Sequence, residues 1–263
     1  MAASLLRRLL AHPLTATLDL DDPATTALRR RIIASKPFLK AIYDEWYAAL
    51  AAGLPQGTGV VLELGSGAGY CADFIPGLIT SDVFPCPGVQ LVINAVHLPF
   101  AAGSLRAIVM TNVLHHLSDV RQFFREADRC LRPGGKILMI EPWMTAWSRF
   151  VYRHLHHEPC FPAAKEWTFP AAGPLSGANV ALPWILFERD RAKFHDEFPR
   201  FAVEQIRPLL PIRYLLSGGV ALRSLMPAFT QPAWRALETA SQSQMSRLGM
   251  FAFISLGKDG HTS

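Results

Sequence analysis

Val60-Val-Leu-Glu-Leu-Gly-Ser-Gly-Ala-Gly-Tyr70 combines a short apolar run with three closely spaced glycines. Val60, Val61, Leu62 and Leu64 read as a central parallel strand covered on both faces. Without a Cβ, Gly65, Gly67 and Gly69 can take positive φ and bring backbone amides close to a ligand, as in the nucleotide-binding turns of open α/β sheets. A dinucleotide fingerprint, G-x-G-x-x-G, requires glycine at position 70, where this chain has Tyr70. The pattern is acid-x-G-x-G-x-G, with Glu63 at the strand end.

Four further segments follow in order. Leu78-Ile-Thr-Ser-Asp82 reads as a second strand ending in an acid, placed to accept the hydroxyl hydrogens of a ribose. A third strand is expected over Val89–Asn94, running into Asn94-Ala-Val-His-Leu-Pro-Phe100. A fourth, Ala107–Asn112, leads into Val113-Leu-His-His-Leu117. A helix with the stripe Val120, Phe123, Phe124, Ala127 and Leu131 is expected to end at Arg132-Pro-Gly-Gly135, before a fifth strand over Lys136–Glu141.

From Val60 to Glu141 this order resembles that of the class I S-adenosylmethionine-dependent methyltransferases (methyltransferase type 11-like). The resemblance implies an α/β fold with a doubly wound, mainly parallel, seven-stranded Rossmann-like sheet, its last strand antiparallel between the fifth and sixth. It also implies S-adenosylmethionine as cofactor. Glu63, Gly65, Ser66, Gly67 and Gly69 would serve its methionine end and Asp82 its ribose. Asn94 and Ala95 would serve the adenine, Asn112 would also contact the cofactor, and the Val113–Leu117 segment with His115 would stand beside its methionine end and the transferred methyl. One departure is visible: Asn94 stands where the family has aspartate, so its carbonyl can accept an amine hydrogen bond but carries no charge.

Residues 1–55 read as an N-terminal helical segment and 56–263 as the methyltransferase domain. Asp21-Asp22-Pro23 offers a helix start, and Phe38, Ile42, Tyr43, Trp46 and Leu50 form an apolar stripe expected to pack in the core. Leu5, Leu6, Leu9 and Leu10 make a basic amphipathic segment only ten residues long. Residues 142–183 lose the strand–helix alternation and are rich in aromatics, including Trp143, Trp147, Phe150, Tyr152, Phe161, Trp167 and Phe169. A connection of that length leaving the carboxyl end of a strand is read as a substrate-covering insertion. Helices are then expected over Trp184–Phe198 and Val220–Arg247, with strands over Phe201–Ile206 and Met250–Leu256.

Composition narrows the function classes. Half of the 263 residues are apolar, the net charge is +5, and no apolar run reaches the roughly 18 residues of a membrane-spanning helix. Basic residues are scattered among acids without interleaved aromatics, which argues against nucleic acid. Cys71, Cys86, Cys130 and Cys160 lie far apart, as expected of reduced thiols in a cytoplasmic protein. Histidine is the natural proton acceptor, with His115 and His156 the candidates. In His154-Leu-His-His-Glu158 a zinc reading is available, but adjacent histidines on a helix or strand point apart, so no metal is expected.

The expected function is methyl transfer to a small or lipid-like acceptor, at oxygen first and at nitrogen or carbon as alternatives, without stable membrane insertion. A non-catalytic cofactor-binding regulator or scaffold is the alternative that Asn94 keeps open. A nicotinamide oxidoreductase would instead bind NAD.

Overall fold

A computed structural model of the protein describes residues 23–67, 69–154, 158–169, 173 and 177–259. Two helices open the described chain. Helix α1 (Pro23–Ser35) is followed by α2 (Pro37–Gly53), whose second proline-led start suits a first-turn position with no intrahelical N–H to lose. Phe38, Leu39, Ile42, Tyr43, Trp46, Tyr47 and Leu50 recur at intervals of three and four, and all are buried. Each such side chain contributes about 1.5–3 kcal/mol on burial, enough to dock α2 on the sheet. Tyr43 and Trp46 are core residues as expected, with Trp46 stacked on Tyr214 at 5.9 Å.

The sheet has seven strands: β1 (Val60–Leu64), β2 (Ile79–Asp82), β3 (Leu91–Val92), β4 (Leu105–Thr111), β5 (Leu131–Pro142), β6 (Phe201–Leu209) and β7 (Phe251–Lys258). Their order is β3-β2-β1-β4-β5-β7-β6. Strands β1 to β5 pair in parallel, whereas β7 runs antiparallel to both β5 and β6. The doubly wound, mainly parallel sheet expected from the sequence is therefore present. Its strand order reverses between β1 and β4, and the crevice at such a switch point is where open α/β sheets bind ligands.

Some boundaries differ from expectation. The third strand keeps only Leu91 and Val92, because the Gln90 side chain takes over the pairing that its neighbours would have made, accepting from Thr80 N at 2.9 Å. Arg132-Pro-Gly-Gly135 does not end a helix: α3 (Val120–Cys130) closes before it, and the four residues lie within β5. They form an irregularity there, since Leu105 pairs with Leu131 but Ala107 with Lys136. The expected helix over Trp184–Phe198 is interrupted. A wide turn, Ile185–Arg189, closes with Asp190 N donating to Ile185 O, before Arg191–Glu197 resumes the helix. Over Val220–Arg247 only Gln231–Ala240 and Met245–Leu248 are α-helical.

After β5 the chain forms α4 (Ala146–His154), and Thr168 makes an isolated bridge with Asp119. Several aromatics of this segment belong to the interior. Trp143, Tyr152 and Trp167 are buried, and Trp167 donates to Asp190 Oδ2 at 2.8 Å. Phe150 and Phe161 remain exposed. No helix among the described residues is long and apolar enough to cross a membrane.

Candidate active site

The turn after β1 is held by its neighbour strand. Ser66 N donates to Ser81 O at 2.8 Å, and the Ser66 hydroxyl accepts from Ser81 N at 3.0 Å. Ser81 in turn donates its hydroxyl to Glu63 O at 2.6 Å. Ser66 thus braces the loop. Gly65 sits at φ +67°, and a Cβ there would come within 2.4 Å of Val113 Cγ2. At Gly67 a Cβ would meet the Thr26 methyl at 2.3 Å, which shows α1 seated directly on the loop. Gly67 N donates to Asp82 Oδ2 at 2.9 Å, and Phe84 N donates to Asp82 Oδ1 at 3.0 Å. The Asp82 carboxylate therefore faces the glycine loop from the carboxyl end of the adjacent strand.

Glu63 is buried beneath this loop, and its Oε2 finds no hydrogen-bond partner among the described residues. Burial pushes its carboxyl up to about 7, against a lowering hydrogen bond from Ser66 and with the Asp82 charge adding to the rise. Farther along the sheet edge, Asn94 is exposed and its side-chain oxygen accepts from Val96 N at 3.2 Å, while Ala95 is buried. Asn112 takes φ +57° at the end of β4, a conformation asparagine tolerates better than most side chains, and donates its N–H to Ile140 O.

The single turn Leu114–His116 then brings two imidazoles side by side, with ring centroids 4.2 Å apart. Glu141, fully buried at the carboxyl end of β5, organises it. One carboxylate oxygen accepts from Val113 N and Leu114 N at 2.8 Å each, and the other lies 2.7 Å from His115 Nδ1. His115 Nε2 is 3.4 Å from Glu158 Oε2, and His116 Nε2 is 4.0 Å from Glu158 Oε1. His116 Nδ1 lies 3.0 Å from Gly177 O. Burial opposes charge on His115, yet the Glu141 charge and hydrogen bond, joined by those of Glu158, outweigh it and lift the ring to about 9. His116 moves the other way, held down to about 4 by burial and then by the neighbouring His115 charge.

The residues expected from the sequence thus form an arc along the carboxyl edge of the sheet. Glu63, Gly65, Ser66, Gly67, Gly69 and Asp82 gather at β1 and β2, Asn94 and Ala95 follow β3, and Asn112 and His115 follow β4. His156 lies outside the described residues, as do the Leu5–Leu10 segment and Asp21-Asp22. Glu141 was visible in the sequence only as the end of an apolar strand, although one acid closing such a run is itself a signal. The contact of Glu158 with His115 and His116 carried no local signal.

Residues 57–139, the span from the approach to β1 into β5, match the methyltransferase domain family. The match spans about a third of the chain, so the stretch from β1 into β5 is similar to a methyltransferase domain. A 37.1 kDa protein from the transposon TN4556 of Streptomyces fradiae is 40% identical over 57 residues, which cover 21% of this chain and 16% of that protein. Among solved structures, a chain of the complex between the Haloferax volcanii Trm112 methyltransferase activator and a methyltransferase superposes with a TM-score of 0.51 at 15% identity. That match covers 93% of this chain and 99% of the other. A geranyl diphosphate C-methyltransferase from Streptomyces coelicolor A3(2) gives 0.46 at 15% identity, over 89% of this chain and 84% of its own. The likeness to the Haloferax complex is one of fold.

The glycine loop is where the sequence resemblance expects the cofactor, and three observations of the loop fit such a group. No Cβ can be added at Gly65 or Gly67 without a clash, a carboxylate closes the loop from β2, and a buried carboxyl oxygen of Glu63 lacks a partner below it.

Proposed function

We propose that this chain transfers a methyl group from S-adenosylmethionine to an oxygen of a small or lipid-like acceptor. The observation carrying the reading is the juxtaposition of a closed glycine loop with the Glu141-held His115 across the β1–β4 switch point, with Val113 packed on Gly65. In this reading Gly65, Gly67 and Gly69 receive the methionine end of the cofactor on a loop braced by Ser66, with Glu63 beneath. Asp82 accepts the ribose hydroxyls, and Asn94 and Ala95 border the adenine. Asn112 sets the direction of the chain leaving β4. The cofactor supplies an already activated methyl on its sulfonium, so the protein's main tasks are alignment and exclusion of water. The Glu141–His115–Glu158 cluster receives the acceptor's proton, and His156 is a second candidate for that role. Residues 142–183 cover the acceptor, with the exposed Phe150 and Phe161 supporting an apolar one. The free cysteines fit a cytoplasmic setting, and nucleic acid is not among the acceptors we propose.

Calorimetric titration with S-adenosylmethionine tests the cofactor half. Replacing Asp82 with alanine removes a charged acceptor whose hydrogen bonds contribute about 1.5–3 kcal/mol each, so affinity should fall at least about tenfold. Unchanged affinity would exclude the ribose role. Incubation with methyl-tritiated cofactor and a metabolite extract, followed by structural analysis of the labelled product, tests the oxygen acceptor.

A non-catalytic, cofactor-binding regulator is favoured by a specific feature, the exposed Asn94 with its oxygen engaged by Val96 N. Cofactor binding without label transfer to any acceptor would select it.

A further inference from the structure

We propose that His115, His116 and Glu158 form a divalent-metal site of the zinc type, presenting an open coordination position to an oxygen of the acceptor. The ligand atoms of these three residues all lie within 4.8 Å of one another. Four ligands on a tetrahedral ion with bonds of about 2.0–2.1 Å sit roughly 3.4 Å apart. His115 Nε2 is already 3.4 Å from Glu158 Oε2, and His116 Nε2, 4.0 Å from Oε1 of the same carboxylate, moves inward on binding. The expectation that adjacent histidines point apart holds for helices and strands, but these two lie on a tight single turn that directs both rings toward Glu158.

The surrounding hydrogen bonds are those a metal-bound histidine requires. His115 Nδ1 is held by the Glu141 carboxylate and His116 Nδ1 by the Gly177 carbonyl, so each ring keeps its proton on Nδ1 and, once an ion displaces any proton on Nε2, offers that nitrogen's lone pair. Glu141 is itself fixed by Val113 N and Leu114 N, which makes the outer support rigid. Two imidazoles and one carboxylate suit zinc and its transition-metal neighbours, whereas magnesium and calcium prefer oxygen ligands. Three protein ligands leave one position of a tetrahedral ion open. A hydroxyl bound there gives up its proton to solvent more readily than in water, so with the ion bound His115 and Glu158 act as ligands in place of their role as proton acceptor in the metal-free reading. That last role rests on the proposed methyl transfer, whereas metal binding stands without it.

The test uses the tag-free full chain, stripped of metal and titrated calorimetrically with zinc chloride and, separately, cobalt chloride. One ion should bind per chain, and cobalt should develop the intense visible absorption of a tetrahedral site. Glu158→Gln and His116→Ala should each weaken zinc at least about 100-fold, and Glu141→Gln about 10- to 100-fold, while thermal melting confirms that each variant is folded. His116→Gln replaces His116→Ala if the latter does not fold. Absence of saturable zinc binding, or equal affinity in the folded Glu158 and His116 variants, would overturn the site. So would saturable magnesium binding without zinc binding. S-adenosylmethionine titrated into the same samples separates the two claims: cofactor binding without metal sinks the site alone, and metal binding without cofactor sinks the methyl-transfer reading alone.

Discussion

Glu63 is the residue at which fold and chemistry compete most openly. Its carboxyl is raised to about 7, so the folded protein keeps a proton that the unfolded chain releases near 4.5. Stability from this group is fully present below the unfolded value and is lost as pH rises through the folded one. At about 1.4 kcal/mol per pH unit, the loss between those limits is roughly 3 kcal/mol. Glu63→Gln keeps the shape and removes the titration. Urea unfolding of the cofactor-free protein at pH 5 and pH 8 should therefore show the variant gaining that amount on wild type at the higher pH. Curves that stay parallel across the interval would count against a carboxyl whose burial keeps it protonated. The glycines and Asp82 were legible in the sequence because their spacing is a backbone requirement that few other residues can meet. The Glu141–His115–Glu158 cluster was not, because its members come from three separate segments: His115 and the run ending in Glu158 stood out singly, but nothing local joins them to each other or to Glu141.

At the scale of elements, the contacts that fasten α2 to the C-terminal part of the chain are charged as well as apolar. The Arg213 side chain, 5% exposed, reaches Glu45 of α2 through both terminal nitrogens at 2.8 Å, and its Nε donates to Glu238 of the helix Gln231–Ala240. Removing one partner of a buried pair leaves the others uncompensated, which typically costs about 3–5 kcal/mol. Arg213→Met should lower unfolding free energy by that amount, and adding Glu238→Gln should recover part of it. Strict additivity of the two substitutions in denaturant titrations would show that the groups are not coupled. Nothing in the sequence announced this cluster. Apolar stripes repeat with a period and can be read locally, whereas an ion pair between residues 168 positions apart has no period. The same limit explains β3 and β5. Alternation predicted where extended chain would run, but the Gln90 side chain and the irregularity at Arg132–Gly135 decided where pairing stops or slips.

At the scale of the whole molecule, the sheet depends on its last strand. All eight residues of β7 are buried, and they pair with β5 on one side and β6 on the other. The Lys258 ammonium at its end donates to the carbonyls of Asp128 and Leu131, tying the strand to the end of α3 and the start of β5. Truncation before Phe251 should leave β6 without a partner and expose one edge of β5. The expected result is loss of a cooperative thermal transition, measured by calorimetry. A truncated chain melting like the intact one would show that the parallel half is stable alone.

The position of β7 also bears on how the protein is made. During synthesis β5 emerges long before the segment that will sit against it, and β6 emerges with no neighbour at all until that segment follows. The β5 edge, and later the β6 edge with it, must therefore be kept apart from other nascent chains until β7 follows. The interval before the final strand emerges is when this polypeptide is most exposed to aggregation and has most use for a chaperone.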